Sequence, residues 1–275
     1  MWTSQGLNLG PPDYETGAHS SATPEEKATK LATMRDTYLY KYVDADGNIS
    51  SAKLANSVGF IAFLADFGGT VDNHAELADA RILVMAADDA VAEDGVTTSM
   101  IWGQNKTSAL GTTQSASVGA DLPTFALEGY TVTSTHYNED SYGLDGTNQT
   151  TIPDGTKDNV ALYAAYNYDL TSLGISELGY GTKASATAVG AKGHWFLPSA
   201  SQMQLMGADG DVNNNAGGHT QVTGAMSKLP SGYYWSSSEY SAANAWEYSV
   251  RGATSYWYYR NKAAGSFKVR PVFAY

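Results

Sequence analysis

The hydrophobic positions of this chain fall into short runs set apart by polar, glycine-rich stretches. Thr23-Pro24-Glu25-Glu26 predicts a helix start, with Thr as cap, Pro at the first helical position and acids in the first turn. That helix is expected to run to about Met34. A strand is predicted from Tyr38 to Val43, followed by a hairpin turn at Asp44-Ala45-Asp46-Gly47-Asn48 and a return at Ile49. The Asp-x-Asp-Gly spacing also opens a calcium loop, but later ligands at the required spacing are missing. Val58 to Phe67 is a largely apolar run, short enough for a buried strand, and Arg81 to Ala87 reads as a second. Thr97 to Trp102 leads into Trp102-Gly103, and low-charge Ser/Thr/Gly loops follow to about Thr124. Tyr137 to Lys157 is turn-rich and polar, as expected of a surface loop. Asp158 to Tyr168 has apolar residues at helical spacing. His194 to Ser199 ends a strand; Pro198-Ser199 opens a helix over Ala200 to Met206, capped by Ser199 and stopped by Gly207.

The last 45 residues, Ser231 to Tyr275, carry three of the six tryptophans and eight of the nineteen tyrosines. Three strand-like runs stand out: Ala245 to Arg251, Thr254 to Arg260 and Phe267 to Phe273. Gly252 and Gly265 supply turns between them. In the first run Trp246, Tyr248 and Val250 alternate with Glu247, Ser249 and Arg251. Period two sends the first set to one face, expected as core, and the second to a face free to meet a partner. Tyr256-Trp257-Tyr258-Tyr259 is four consecutive aromatics. A one-sided strand buries only alternate ones, so at least two are expected to face outward, where aromatic patches mark binding surfaces.

Composition narrows the class. The chain has 275 residues, 43% of them apolar and only 16% charged, and is rich in Gly, which fits a loop-rich α+β protein better than a helical bundle. The net charge is −12, which argues against a whole-chain nucleic-acid binder. From Glu247 to the end there are five basic residues and one acid, so a locally basic end sits on an acidic body. No apolar run approaches the ~20 residues of a spanning helix, so membrane insertion is not expected. The N-terminus shows no secretory signal pattern. Residues 1–34 are expected to form an arm and short helix, and 35–275 one domain without internal repeats.

Candidate chemistry is sparse. With no cysteine, disulfides, thiolate nucleophiles and Cys-zinc sites are excluded. Five histidines (19, 74, 136, 194 and 219) are scattered, and no His-Glu-x-x-His, Gly-x-Ser-x-Gly or phosphate-loop pattern occurs. Asp209-Gly-Asp211-Val-Asn213-Asn-Asn215 resembles the start of a calcium loop, but its sixth position is Asn214 and its twelfth Thr220, so a plain polar loop is expected. No enzyme activity and no cofactor are expected.

The succession Gly193-His-Trp-Phe-Leu-Pro-Ser199, Tyr234-Trp235-Ser-Ser-Ser-Glu-Tyr240, Asn244-Ala-Trp246 and Val269-Arg270-Pro271-Val272 resembles C-type-lectin-like domains of bacterial surface and phage proteins. It is most similar to the variable proteins of diversity-generating retroelements. Val58-Gly59-Phe60, Arg81 to Ala87 and Trp102-Gly103 extend the resemblance over about residues 35–275. It implies an α+β, C-type-lectin-like fold with twisted antiparallel sheets and two helices. It also implies a variable segment at about 235–275 whose side chains bind ligand from a fixed backbone. Trp235, Trp246, Val250, Val269, Arg270 and Pro271 would be the frame. Glu247, Ser249, Arg251, Thr254, Tyr256, Trp257, Tyr258, Tyr259 and Lys262 would be the ligand-binding positions, with Glu239 and Tyr240 at the rim. Oxidases sharing the fold use copper-binding cysteines or an iron-binding histidine set, and its calcium-dependent lectins use a Glu-Pro-Asn type motif; this chain has none of these. The function expected is ligand or receptor binding on a phage particle or bacterial cell surface, with a protein or other cell-surface ligand as partner and a homo-oligomer through the N-terminal arm. The alternative is a structural pilus or cell-surface subunit with its C-terminal aromatics in an assembly interface.

Overall fold

The apolar run at 82–87 is uninterrupted because its strand is covered on both faces, and the whole molecule is layered around strands of that kind. The structure, a computed structural model, describes residues 23–46, 48–91, 96–103, 127–137, 160–168, 170, 177–178, 182–183, 194–208, 223–251, 255–264 and 266–275. Helix α1 spans Pro24–Tyr38, so it continues past the expected end near Met34. Thr23 and Glu26 form a reciprocal capping box at its start. The predicted strand from Tyr38 gives way to this last turn, and β1 is only Tyr42–Asp44. It pairs with β2, Ile49–Ser50, through a turn in which Asp44 Oδ1 accepts from the amides of Asp46 and Asn48. Asp44 is thus occupied by turn hydrogen bonds.

Strands β3 (Ser57–Leu64) and β4 (Ile82–Ala86) occupy the two expected apolar runs. The next elements are β5 (Ser99–Met100), α2 (Gly129–His136), α3 (Val160–Tyr166), the β6–β7 pair (Glu177–Leu178 with Thr182–Lys183) and α4 (Ala200–Leu205). Ser199 caps α4 as expected, in a capping box with Gln202. The chain ends in β8 (Gly232–Glu239), β9 (Asn244–Val250), β10 (Tyr256–Asn261), β11 (Phe267–Lys268) and β12 (Val272–Ala274).

The class is α+β. One sheet has the order β12-β4-β3-β1-β2 and is antiparallel throughout. The other has the order β10-β9-β8-β11-β5, with β11 parallel to β8. The resemblance implies two helices; four α-helices are present among the described residues. The predicted run from Phe267 to Phe273 is broken into β11 and β12. Pro271 has no amide to donate to a ladder, and Arg270 turns inward to Asp89 and the Ala86 carbonyl. The break carries the chain from one sheet into the other.

Alternate residues of the strands feed separate cores. Leu83, Met85, Val272 and Ala274 join Tyr234, Trp246, Tyr248, Val250 and Trp257 between the two sheets, with Met203 of α4 and Met206 just after it. Ile82, Val84, Ala86 and Phe273 face the other way, toward Trp195 and the end of α1. Trp235 and Ala245 pack on the far side of the second sheet against Val132 of α2 and Ala161, Leu162, Ala164 and Ala165 of α3. Buried Asp72 ties this together: its carboxylate accepts from the amides of His74 and Tyr130 and from Gln202 Nε2.

Gly59 lies on β3 opposite Ala86 of the neighbouring strand β4. A Cβ there would stand 2.5 Å from the Met85 carbonyl oxygen and 2.9 Å from Val84 Cγ1. Gly59→Ala is therefore expected to cost about 2–3 kcal/mol in denaturant unfolding. Gly68→Ala, which meets open space but keeps a φ of +80°, should cost about 1–2 kcal/mol.

Candidate binding site

The C-terminal strands were expected to be half-buried, and this is where the structure departs most from the sequence pattern. Strand β9 is buried on both faces from Ala245 to Val250. Register explains it. Trp235 of β8, Glu247 of β9 and Tyr258 of β10 lie side by side on one face, followed by Tyr233, Ser249 and Tyr256. The opposite face holds Tyr234, Tyr248 and Trp257, then Trp246 and Tyr259. That face is the inter-sheet core, and helices α2 and α3 cover the Trp235 and Ala245 end of the other.

Several expected contact residues are therefore interior. Glu247, Ser249, Glu239, Lys262 and Trp257 have no exposed surface, and Tyr256 is also buried. Trp257, expected as a central contact, is instead a core residue, with its indole N–H donated to the Ala208 carbonyl. Lys262 is not a displayed cation. Its ammonium pairs with the Glu239 carboxylate and lies 4.7 Å from the Trp102 ring centroid. Its backbone carbonyl accepts from Trp102 and Gly103, and its amide donates to Ala243. The pair thus fastens the β8–β9 and β10–β11 turns to the segment after β5. Thr254 lies outside the described residues.

The residues that reach solvent form a narrower set. Tyr240, Tyr258 and Tyr259 are half-buried, while Arg251 and Arg260 are exposed. Tyr240 and Tyr259 stack with centroids 3.8 Å apart and planes 4° apart. Tyr259 and Tyr258 stack at 5.2 Å and 10°, although successive strand residues start on opposite faces. Both rings lean to one side of β10, the terminal strand of its sheet among the described residues. The Arg260 guanidinium closes the row, 4.3 Å from the Tyr258 centroid. Buried Trp246 braces it by edge contacts to Tyr240 at 5.3 Å and Tyr259 at 6.0 Å. At the other end of the strands Arg251 stands over Tyr233 at 4.7 Å and Tyr256 at 5.9 Å.

Glu247 is the electrostatic anomaly. Among the described residues neither carboxyl oxygen has a hydrogen-bond partner, nor does Ser249 Oγ on the same face. Arg260 Nε is 3.8 Å from Glu247 Oε1, too far for a hydrogen bond. Burial pushes the Glu247 carboxyl up to about 8, and the Arg260 charge opposes this in part. Burial also lowers Lys262, while Glu239 opposes that shift.

Sequence reasoning did not single out Arg260 or the strand at β8. Arg260 ends an aromatic run and looks like an ordinary polar strand end. The β8 sequence, GYYWSSSE, hides a buried strand behind three serines. Two of them have partners: Ser236 Oγ donates to the Trp246 carbonyl, and Ser238 Oγ accepts from the Ala200 amide, whereas Ser237 Oγ has none among the described residues. His194 is a buried core histidine stacked on Tyr166 at 4.1 Å. Among the described residues no group of three or more His, Asp or Glu side chains is placed to hold a metal. The loop at 209–215 lies outside the described residues.

No family model matches the chain, and no curated protein matches it. Among solved structures it is similar to a fimbrial protein from Bacteroides ovatus ATCC 8483, with a TM-score of 0.44 and 13% identity. That match covers 86% of this chain and 48% of the fimbrial protein, so the chain spans about half its length. None of these comparisons supports the C-type-lectin or retroelement resemblance. Among the described residues no helix is long and apolar enough to cross a membrane.

Two outcomes follow. Glu247 holds its proton in the folded protein up to about pH 8, but in the unfolded chain only to about 4.5. The folded state therefore binds more protons between these values, and stability should fall as pH rises from about 4.5 to about 8. Urea unfolding of Glu247→Gln should show a flatter profile across that window and higher stability at its alkaline end. Lys262→Met should cost about 3–5 kcal/mol by stripping Glu239 of its buried cation, while Glu239→Gln with Lys262→Met should recover much of the loss.

Proposed function

We propose that this chain is a cell-surface protein that acts by binding and not by catalysis, through the ledge formed by Tyr240, Tyr259, Tyr258 and Arg260. The observation that carries the reading is the ledge itself: three tyrosines and an arginine, partly exposed, already stacked, and braced on a buried tryptophan. Tyr and Arg dominate binding hot spots because they offer large contact area. Here their rotamers are fixed before any partner arrives. Arg251 with Tyr233 extends the surface along the same strands.

The finer reading keeps the diversified surface of a retroelement variable protein. On this frame, Tyr240, Arg251, Tyr258, Tyr259 and Arg260 can change without opening the core. Changes at Glu239, Glu247, Ser249, Tyr256, Trp257 and Lys262 would alter buried side chains. Sequencing the 3′ end of the gene across its source population tests this. Substitutions concentrated at the exposed set support diversification, and a uniform 3′ end contradicts it. A second reading is a structural subunit of a cell-surface assembly, in which the ledge meets a neighbouring subunit. The fimbrial protein named above accords with it by name.

The intact protein should be screened against arrays of host-surface glycans and extracellular-matrix proteins. Tyr258→Ala with Arg260→Ala should lose at least about 2 kcal/mol of binding to any ligand found, with thermal stability nearly unchanged. Binding retained by that variant would contradict the proposal. Trp257→Ala should instead lower folding stability by about 3–5 kcal/mol, as a large core truncation does.

A further inference from the structure

The ledge ends in a guanidinium that the fold orients but does not use. Among the described residues the Arg260 side chain makes no hydrogen bond, and its nearest acid is Glu247 at 3.8 Å. The arginine is 44% exposed, whereas the Glu247 side chain is wholly buried. That carboxyl is driven toward its neutral form, so it offsets little of the arginine's charge at neutral pH. Stacking on Tyr258 fixes the guanidinium plane and leaves its N–H edge for a partner. Of the chain's other C-terminal cations, Lys262 pairs with Glu239, Lys268 and Arg270 pair with Asp89, and Arg251 stands over Tyr233 and Tyr256 at the other end of the strands.

We propose that this ledge binds an extended acidic protein segment, with Arg260 taking a carboxylate of the partner in a bidentate pair and the tyrosines packing on its neighbouring residues. This deepens the binding reading above and rests on it. Three observations fit that occupant. A stacked guanidinium matches a planar carboxylate and holds it by two parallel hydrogen bonds. The ledge lies along β10, the terminal strand of its sheet among the described residues, where an extended segment can run beside the backbone. The charge is asymmetric as well. Residues 23–91 carry eleven acids against six bases, while Glu247 to the end carries five bases and one acid. The acidic excess lies after α1, in the first sheet and its loops, so an acidic partner is repelled there and steered to this end.

The test is fluorescence anisotropy with a labelled peptide of about twelve alternating Glu and Val residues, titrated with the intact chain. Wild-type protein should bind it, with affinity falling steeply between about 20 mM and about 300 mM salt. Arg260→Ala should weaken binding about tenfold or more, and Arg260→Lys should restore only part, because an ammonium cannot make the bidentate pair. Tyr258→Ala should also weaken it. Thermal melts should show all three variants folded. No binding by wild type, equal binding by Arg260→Ala, or tighter binding of a Lys-and-Val peptide would overturn the proposal. Preference for a uronic-acid polymer over the peptide would overturn the choice of a protein partner. If array ligands need the ledge but the acidic peptide does not bind, the acidic-segment inference fails while the binding reading survives.

Discussion

The central strands of the second sheet, β8 and β9, are buried on both faces, and most of what distinguishes this chain follows from that. A two-sided sheet has nowhere to send its polar residues, so they must be satisfied inside. The tryptophans show how: Trp102, Trp235 and Trp257 each donate an indole N–H to a backbone carbonyl, of Ser236, Met100 and Ala208. Lys262 and Glu239 neutralise each other beneath Trp102. The accounting fails at Ser237 and Ser249 and most heavily at Glu247, where burial drives the carboxyl toward the neutral form.

The same constraint separates frame from surface. Because β8, β9 and the first half of β10 are locked into two cores, their side chains cannot vary or move freely. What remains for a partner is the outer part of β10 and the turn before β9, where Tyr240, Tyr258, Tyr259 and Arg260 stack. Their rigidity comes from Trp246, which belongs to the inter-sheet core and touches two of the rings. A binding surface built this way loses little side-chain entropy on contact.

The sequence made several elements legible. The capping boxes at Thr23 and Ser199 mark helix starts because their chemistry is local. The runs at 58–67 and 81–87 read as buried strands because they are apolar without interruption over 58–65 and 82–87. Alternation at Trp246, Tyr248 and Val250 correctly identified one core face. It misled about the other, because period two reports which residues share a face but not whether a second layer covers it. At the Trp235 and Ala245 end that layer comes from α2 and α3, far away in sequence and weakly patterned: the α2 sequence, GYTVTSTH, has no side-chain cap and several β-branched residues. Lys262 and Glu247 looked exposed because charged residues usually are. Arg260 was passed over because nothing local marks a guanidinium as stacked and unused.

The division between a buried frame and a preformed ledge is tested most directly by hydroxyl-radical footprinting of the intact protein, read tyrosine by tyrosine. The account predicts ready oxidation of Tyr240, Tyr258 and Tyr259, with Tyr234, Tyr248 and Trp257 protected. Protection of Tyr258 and Tyr259 to the level of Tyr248, or oxidation of Trp257 as fast as theirs, would contradict it.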